Sequence, residues 1–491
     1  MNARDPQQPL QPDETRALGA WIDRRWDEAL VPALVDYIAI PAKSPMFDAD
    51  WQAHGHIDRV VRDAAAWVEA RKLPGLTLEV VRLPGRTPVI YFEAPATRPG
   101  STGTVLLYGH LDKQPEFSGW RSDLGPWKPK YEDGLLYGRG GADDGYAVYA
   151  AITAIEALDR HGIGRPRCVG LIETSEESGS IDLLPYIDAL KPRLGDIGLV
   201  VCLDSGAGNY EQLWLTTSLR GMVSGVLKVQ VLTEGVHSGD ASGLVPSSFR
   251  ILRRLLDRLE DAPTGRLLPE SFHCKIPAER IEQARATAAI LRDEVWKRYP
   301  WACSADGSPA LPTTDDPVEA LLNRTWRPTL SITGVDGIPA LKEAGNVLRP
   351  YTAFKLSLRL PPLVDAARAA DELKTLLEAD APYRAKVTFA ADGRGAAAGA
   401  TGWNAPTPAP WLDAALQAAS RAHYGAPCAA IGQGGTIPLI NFLQQGFPQA
   451  QMMVCGVLGP RSNAHGPNEF LHVPYAKRLT AAVAQVIAAH P

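Results

Sequence analysis

His110 and Asp112 stand two residues apart in "LLYGHLDKQPEFSGW", where an apolar run ends. An imidazole and a carboxylate so placed can make an acid–base dyad or one corner of a metal site. Three acidic clusters follow: Asp143 with Asp144 in "YGRGGADDGYA", Glu176 with Glu177 in "ETSEESGS", and Asp204 in "CLDSG". Singly, each has an ordinary explanation, since aspartates cap helix starts and glutamates sit in solvated loops. Gathered in one place they would repel one another or suffer desolvation unless something positive compensates. No lysine cluster lies near them in the sequence, and a divalent cation would supply that charge.

The clusters share a position relative to the elements around them. "LTLEVVRL", "TPVIYFEAP" and "TGTVLLYGH" read as strands, and "HGHIDRVVRDAAAWVEARKL" as an amphipathic helix with Ile57, Val60, Val61, Ala64 and Trp67 on one side. The segment 14–40 reads as one or two further helices. After a loop over 113–142, "DGYAVYAAITAIEALDRHG" predicts a helix, and "RCVGLIET" and "DIGLVVCLDSG" predict two more strands. Apolar strands alternating with helices are the α/β signature, and ligands of open α/β sheets are held at the carboxyl ends of the strands. The acidic clusters fall there.

From residue 214 the pattern changes. "LWLTTSLRGMVSGVLKVQVLT" predicts antiparallel strand pairs, and helices and strands alternate up to "AKVTFAADG". "DGRGAAAGATGWNAPTPAP" reads as a linker back to the first pattern. The expected organisation is a catalytic α/β domain over 1–215 and 396–491, interrupted by an α+β module over 216–395. The returning segment supplies His465.

Bulk properties narrow the function classes. A chain of 491 residues exceeds the size at which one core keeps growing. With 50 basic against 55 acidic residues and a net charge of -5, no nucleic-acid footprint is visible. No stretch is apolar and long enough to span a membrane, and the polar start lacks the apolar core of a secretory signal. Cys168, Cys202, Cys274, Cys303, Cys428 and Cys455 are scattered without a CxxC pair, which reads as free thiols in the cytoplasm. No GxSxG elbow or Cys–His partnership points to a serine or cysteine hydrolase. His161 suits a helix C-terminus, His54 and His56 lie on a predicted surface helix, and His273, His423, His472 and His490 have no acidic companions in sequence.

The ordered blocks "GHLD … GRGGADD … ETSEESGS … LDSG … HGPNE", with "WRPTLSITGVDG" and "GQGGTIP", closely resemble the co-catalytic di-zinc hydrolases. These include carnosinase-type dipeptidases, aminoacylase, carboxypeptidase G and succinyl-diaminopimelate desuccinylase, and the carnosinase-like branch is nearest. The resemblance implies a zinc-peptidase-like α/β/α catalytic domain with an inserted α+β lid and dimerisation domain. It implies two divalent ions, zinc by default, with cobalt or manganese able to fit the same donors. His110, Asp143 and Asp204 would hold one ion and Asp143, Glu177 and His465 the other. Glu176 would be general base to a water shared between the ions, and Asp112 would hydrogen-bond His110. His237, in "TEGVHSGDASG", would stabilise the oxyanion across a homodimer. Arg359, Asn346, Gln433, Gly435 and Thr436 would line the substrate pocket. For adjacent Glu176 and Glu177 to do different jobs, the backbone between them should be irregular or cis.

The implied activity is hydrolysis of an amide or peptide bond in a small substrate, a dipeptide or amino acid amide. An N-acyl amino acid deacylase or carboxypeptidase of the same fold is the alternative. An inert, metal-stabilised binding protein is the non-enzyme alternative, and the presence of Glu176 argues against it. Two departures matter. Asp143 is followed by Asp144, Gly145 and Tyr146 where relatives read Asp-Lys-Gly or Asn-Lys-Gly. Gly432 and Gln433 replace the Arg-Glu of carnosinase-like relatives, which favours an amide, an acylated amino acid or an apolar dipeptide. Trp120, Trp127 and Tyr131 read equally well as a cleft lining or as cover for the domain edge.

Overall fold

The computed structural model describes residues 10–393 and 399–491. Part of the expected linker, 394–398, lies outside them. The described residues form two compact units: those of Met1–Thr217, Ala405–Ile431 and Phe442–Pro491, and those of Ser218–Asn404 and Gly432–Asn441.

The first unit is built on a six-stranded sheet in the order Thr77–Val81, Val89–Ala94, Arg167–Glu173, Thr104–His110, Ile197–Cys202, Gln451–Val454. The first two pairings are antiparallel and the last three parallel. Every residue of Thr104–His110 is buried, as its unbroken apolar run requires of a strand covered on both faces. Helix Tyr146–Arg160 packs on that strand and on helix Val473–Ala489. It is apolar nearly all round, so it can be buried between layers rather than lie on the surface. The Trp26 indole donates to Thr480 Oγ1 at 3.0 Å, which ties the N-terminal helices to the last one.

The loop expected over 113–142 contains a short hairpin, Lys130–Glu132 and Leu135–Tyr137. Strand Phe470–His472 pairs with it, Phe470 opposite Tyr137. These few residues fix where the preceding segment, with His465, must run.

The second unit is α+β. Its four-stranded sheet runs Thr329–Asp336, Tyr351–Leu360, Gly221–Gln230, Lys386–Ala391, all antiparallel. Gly221–Gln230 alternates buried and partly exposed positions, the period of a half-buried strand. Helices Ser248–Leu256 and Ala366–Glu378 cover the apolar side, where Val223, Leu227, Leu252, Leu358, Leu373 and Phe389 form the core. The Ser247 and Asp365 side chains cap these helices by accepting from the N–H groups of Arg250 and Arg368. One expectation changes. Trp214–Leu219 does not pair with the strand after it, but is buried along its whole length and has Trp403–Asn404 beside it. Among the described residues no helix is long and apolar enough to cross a membrane.

Candidate metal centre

His110 ends its strand opposite Glu173 on the neighbouring strand. Its Nδ1 lies 3.2 Å from the Asp112 backbone oxygen, a contact that directs Nε2 the other way. That Nε2 is buried and has no hydrogen-bond partner. It stands 3.6 Å from Asp143 Oδ1, 3.8 Å from Asp204 Oδ2 and 4.0 Å from Glu176 Oε2. Those separations are too long for hydrogen bonds and suit ligand atoms around a shared ion.

Two donor groups emerge. His110, Asp143 and Asp204 form one, and Asp143, Glu177 and His465 the other, each with its ligand atoms within 4.8 Å of one another. Asp143 belongs to both. His465 Nε2 lies 2.9 Å from Asp143 Oδ2 and 3.5 Å from Glu177 Oε2. An orphaned buried imidazole nitrogen facing carboxylates, with one aspartate shared between two sets, fits a pair of divalent ions. Mixed nitrogen and oxygen donors suit zinc first.

Local backbone explains how the donors arrive. Glu176–Ser178 is a single 3₁₀ turn, and the Asp112 carboxylate accepts both of its leading N–H groups, from Glu176 at 3.1 Å and Glu177 at 3.0 Å. Such a turn sends successive side chains in different directions, so no cis bond is needed between the two glutamates. Of the two expected forms, irregular or cis, the link between the glutamates takes the irregular one, and the cis peptide is Asp143–Asp144. The role expected of Asp112 shifts too. Its carboxylate holds the glutamate turn and lies 3.5 Å from His110 Nδ1, while its main-chain oxygen makes the shorter contact. His465 has φ 66°, and Arg461, Asn463 and Asn468 are also left-handed. A run of non-glycine residues in that region persists only where its surroundings over-determine it.

Part of that restraint is an ion pair the sequence reading did not single out. Arg139 Nη1 donates to Glu469 Oε2 at 2.5 Å, and Arg139 Nη2 donates to the His465 backbone oxygen at 3.0 Å. Glu469 Oε1 accepts from Gly140 N–H at 2.8 Å, three residues before Asp143. The pair thus fastens the two segments that carry the shared ligand and the last histidine. Both residues stood inside quoted motifs, but nothing in sequence spacing marks them as partners. Gln114 also escaped notice; its amide donates to Glu177 Oε2 at 2.6 Å. Lys113 is buried and gives its ammonium to the Tyr37 and Ile40 carbonyls, so it does not neutralise the acidic set. Trp120 and Trp127 lie beside Arg139 and Lys113 respectively.

The electrostatics are those of an acidic pocket short of positive charge. Burial, Asp143 and Asp112 push the Glu177 carboxyl up to about 8, against the pull of His465 and His110. Burial and Asp143 push Asp204 up to about 7, although His110 opposes them. Burial, then Asp204 and Glu177, hold Glu176 well above the usual carboxylate range. Burial alone would lower His465, but Glu177, Asp143 and Glu469 override it and lift the imidazole to about 9. Burial opposes charge on Asp143 as well, yet the His110 and His465 imidazoles beside it keep its carboxyl well below the usual range.

The remaining expected residues belong to the second unit. His237 is exposed and pairs with Val347, next to Asn346, whose backbone oxygen accepts from Ser238 N–H at 2.9 Å. Arg359 Nη1 donates to Thr436 Oγ1 at 3.0 Å, beside Gly435 and two residues beyond Gly434. Gln433 closes the short strand Ala429–Gln433.

A site of two donor sets sharing one aspartate, with a spare glutamate beside it, defines a two-metal hydrolase. The chain belongs to peptidase family M20/M25/M40, whose family model matches residues 106–489. It is 30% identical over 434 residues to the cysteinylglycine-S-conjugate dipeptidase of Corynebacterium striatum, covering 84% of this chain and 88% of that one. Its fold is that of human carnosine dipeptidase 1, with TM-score 0.78, 22% identity and 98% and 99% of the two chains covered. It is also that of an M20 metallo-carboxypeptidase from Sulfolobus solfataricus, with TM-score 0.73, 21% identity and coverage of 94% and 99%. These relatives put it on the carnosinase-like, dipeptidase-like branch. The protein is a metal-dependent hydrolase of small amide or peptide substrates with a two-metal active site.

Proposed function

We propose that the protein is a dipeptidase in which Glu176 moves the proton and a free carboxylate of the substrate is held by Arg359. The observation that carries the catalytic part is the position of Glu176: 4.0 Å from the unpartnered His110 Nε2, and not needed in either donor set. When bound, the two ions supply Lewis acidity, which polarises a carbonyl and acidifies water. Glu176 then takes the proton of the attacking water and returns it to the departing nitrogen. Asp112 sets the direction of that carboxylate by holding its backbone N–H. His237 donates to the oxyanion, and Asn346, Gln433, Gly435 and Thr436 complete the pocket around Arg359. The planar guanidinium of Arg359 suits a carboxylate better than an amide.

The active form is a homodimer through the second unit. Thr329–Asp336 is an edge strand of its sheet, and Ile332, Val335, Ile338 and Leu341 on and beside it are exposed. All six cysteines are free, which accords with a cytoplasmic location.

A metal-replete screen of dipeptides, N-acyl amino acids and amino acid amides tests the reading. Dipeptides should be cleaved fastest, and preference for N-acyl amino acids would overturn the dipeptidase assignment. Glu176→Gln should lower kcat by about 10²–10⁴-fold with metal content intact; retained turnover removes Glu176 from its role. Sedimentation velocity should find a dimer.

A further inference from the structure

The stretch "ETSEESGS" supplies Glu176 and Glu177, yet it also carries three serines that proton transfer does not use. Each of their hydroxyls is bound. Ser175 Oγ donates to Glu173 Oε2 at 3.1 Å, and Ser180 Oγ donates to Glu173 Oε1 at 2.8 Å. Ser178 Oγ accepts from the Met46 N–H at 2.9 Å and pairs with Ser44 Oγ. The residues on either side of the glutamate turn are therefore tied to one carboxyl.

Glu173 opens that stretch and ends strand Arg167–Glu173. It is 1% exposed, and its Oε1 accepts a third hydroxyl, from Tyr108 on the neighbouring strand, at 2.7 Å. Burying a carboxyl costs free energy unless its oxygens are hydrogen-bonded, so Glu173 has a task that an apolar residue could not perform. The backbone shows what that task is. Ser178 and Ser180 both donate their N–H groups to the Ser175 oxygen, at 3.2 and 2.9 Å, which folds the turn on itself. Ser180 then stands in the left-handed region at φ 53°, directly after Gly179 at φ 83°. A serine stays there where its surroundings over-determine it, and the bond to Glu173 is one such restraint. The Asp112 carboxylate holds the same turn by the N–H groups of Glu176 and Glu177.

Resting on the proton-transfer role of Glu176 above, we propose that Glu173 is a positioning residue for it. Its carboxyl clamps Ser175 and Ser180 and so fixes the direction of the Glu176 side chain. A base that must meet a water and then the departing nitrogen tolerates little drift, and its supports set its precision. Glu173 belongs to neither donor set, so metal binding should not depend on it.

The test measures kcat, KM and metal content of the metal-replete full chain. Glu173→Gln keeps the shape of the side chain but replaces one accepting oxygen by an amide nitrogen. It should lower kcat by about 10–100-fold, with KM and metal content unchanged. Ser180→Gly removes a clamped hydroxyl while suiting the left-handed backbone, so it should fold even if Glu173→Gln does not, and lower kcat likewise. In the Glu176→Gln background neither substitution should reduce the residual turnover further, because both act through Glu176. Hydrogen exchange at the Glu176, Glu177 and Ser178 amides should be faster in both single variants. Wild-type kcat in either folded variant overturns the clamp. So does an equal further loss in the Glu176→Gln background, since Glu173 would then act through another group. Wild-type turnover by Glu176→Gln alone removes the proton-transfer reading instead; faster amide exchange would still uphold the clamp, and unchanged exchange would overturn it.

Discussion

In the first unit, Asp143, Glu176, Glu177 and Asp204 share a pocket with two imidazoles; in the second, Arg220, Arg324 and Arg359 share a loop and, among the described residues, no carboxylate acts on Arg220. Each group keeps buried polar atoms without partners, His110 Nε2 in one and Arg324 Nε and Nη2 in the other. Their means of relief differ. Carboxyls and imidazoles can take up protons when no cation is bound, and the raised values of Glu177 and Asp204 express that. Guanidinium groups have no such outlet near neutral pH, because even Arg220, brought down to about 9, remains charged. The metal-free first site should therefore respond to pH, whereas the second should respond to anions.

The largest effect should come from taking the cations away. Chelation should abolish hydrolysis, and zinc, cobalt or manganese should restore it; activity that survives exhaustive chelation would break the contrast at its root. Next comes the Arg139–Glu469 pair, which holds metal-bearing segments without touching an ion. Glu469→Gln should weaken metal binding by about 10–100-fold, read by competition with a chromogenic chelator.

A smaller effect is expected in the stability of the metal-free protein. Glu177, Asp204 and Glu469, raised to about 8, 7 and 7, keep protons that an unfolded chain releases at about pH 4. His465, raised to about 9, keeps one that an unfolded histidine releases at about 6.5. The fold thus binds more protons than the unfolded chain from about pH 4 to 9, so its stability falls as pH rises through that window. Calorimetry should record a melting temperature that declines from pH 5 to 9, with added zinc reducing the decline. A flat or rising profile in the absence of metal would contradict the assigned shifts. The smallest effect isolates one member. Asp204→Asn should melt above the wild type at pH 8 without metal, match it near pH 5, and lose the advantage once zinc is present.

Much of the first site could be read from sequence because its donors lie at strand ends and in tight turns, where residue type and position constrain each other. His110 follows an apolar run that could only be a buried strand, and Asp143 precedes a helix too apolar to be exposed. What the sequence concealed depends on contacts between distant segments. The Asp112 carboxylate is bound to the glutamate turn, 64 residues away for Glu176, and that contact removed the reason for a cis bond there. Arg139 and Glu469 are 330 residues apart. The arginines were hidden for the same reason: Arg220, Arg324 and Arg359 look unremarkable in their own segments, and only folding brings them to Gly434 and Thr436.

The path of the chain also limits how this enzyme could be recombined. Gly432–Asn441 belongs to the second unit although the stretches on either side of it belong to the first. A chimaera made by exchanging Ser218–Asn404 alone would carry the three arginines into a new host but leave behind the peptide bearing Gly434 and Thr436. Moving the second unit between relatives would therefore require two cassettes transferred together.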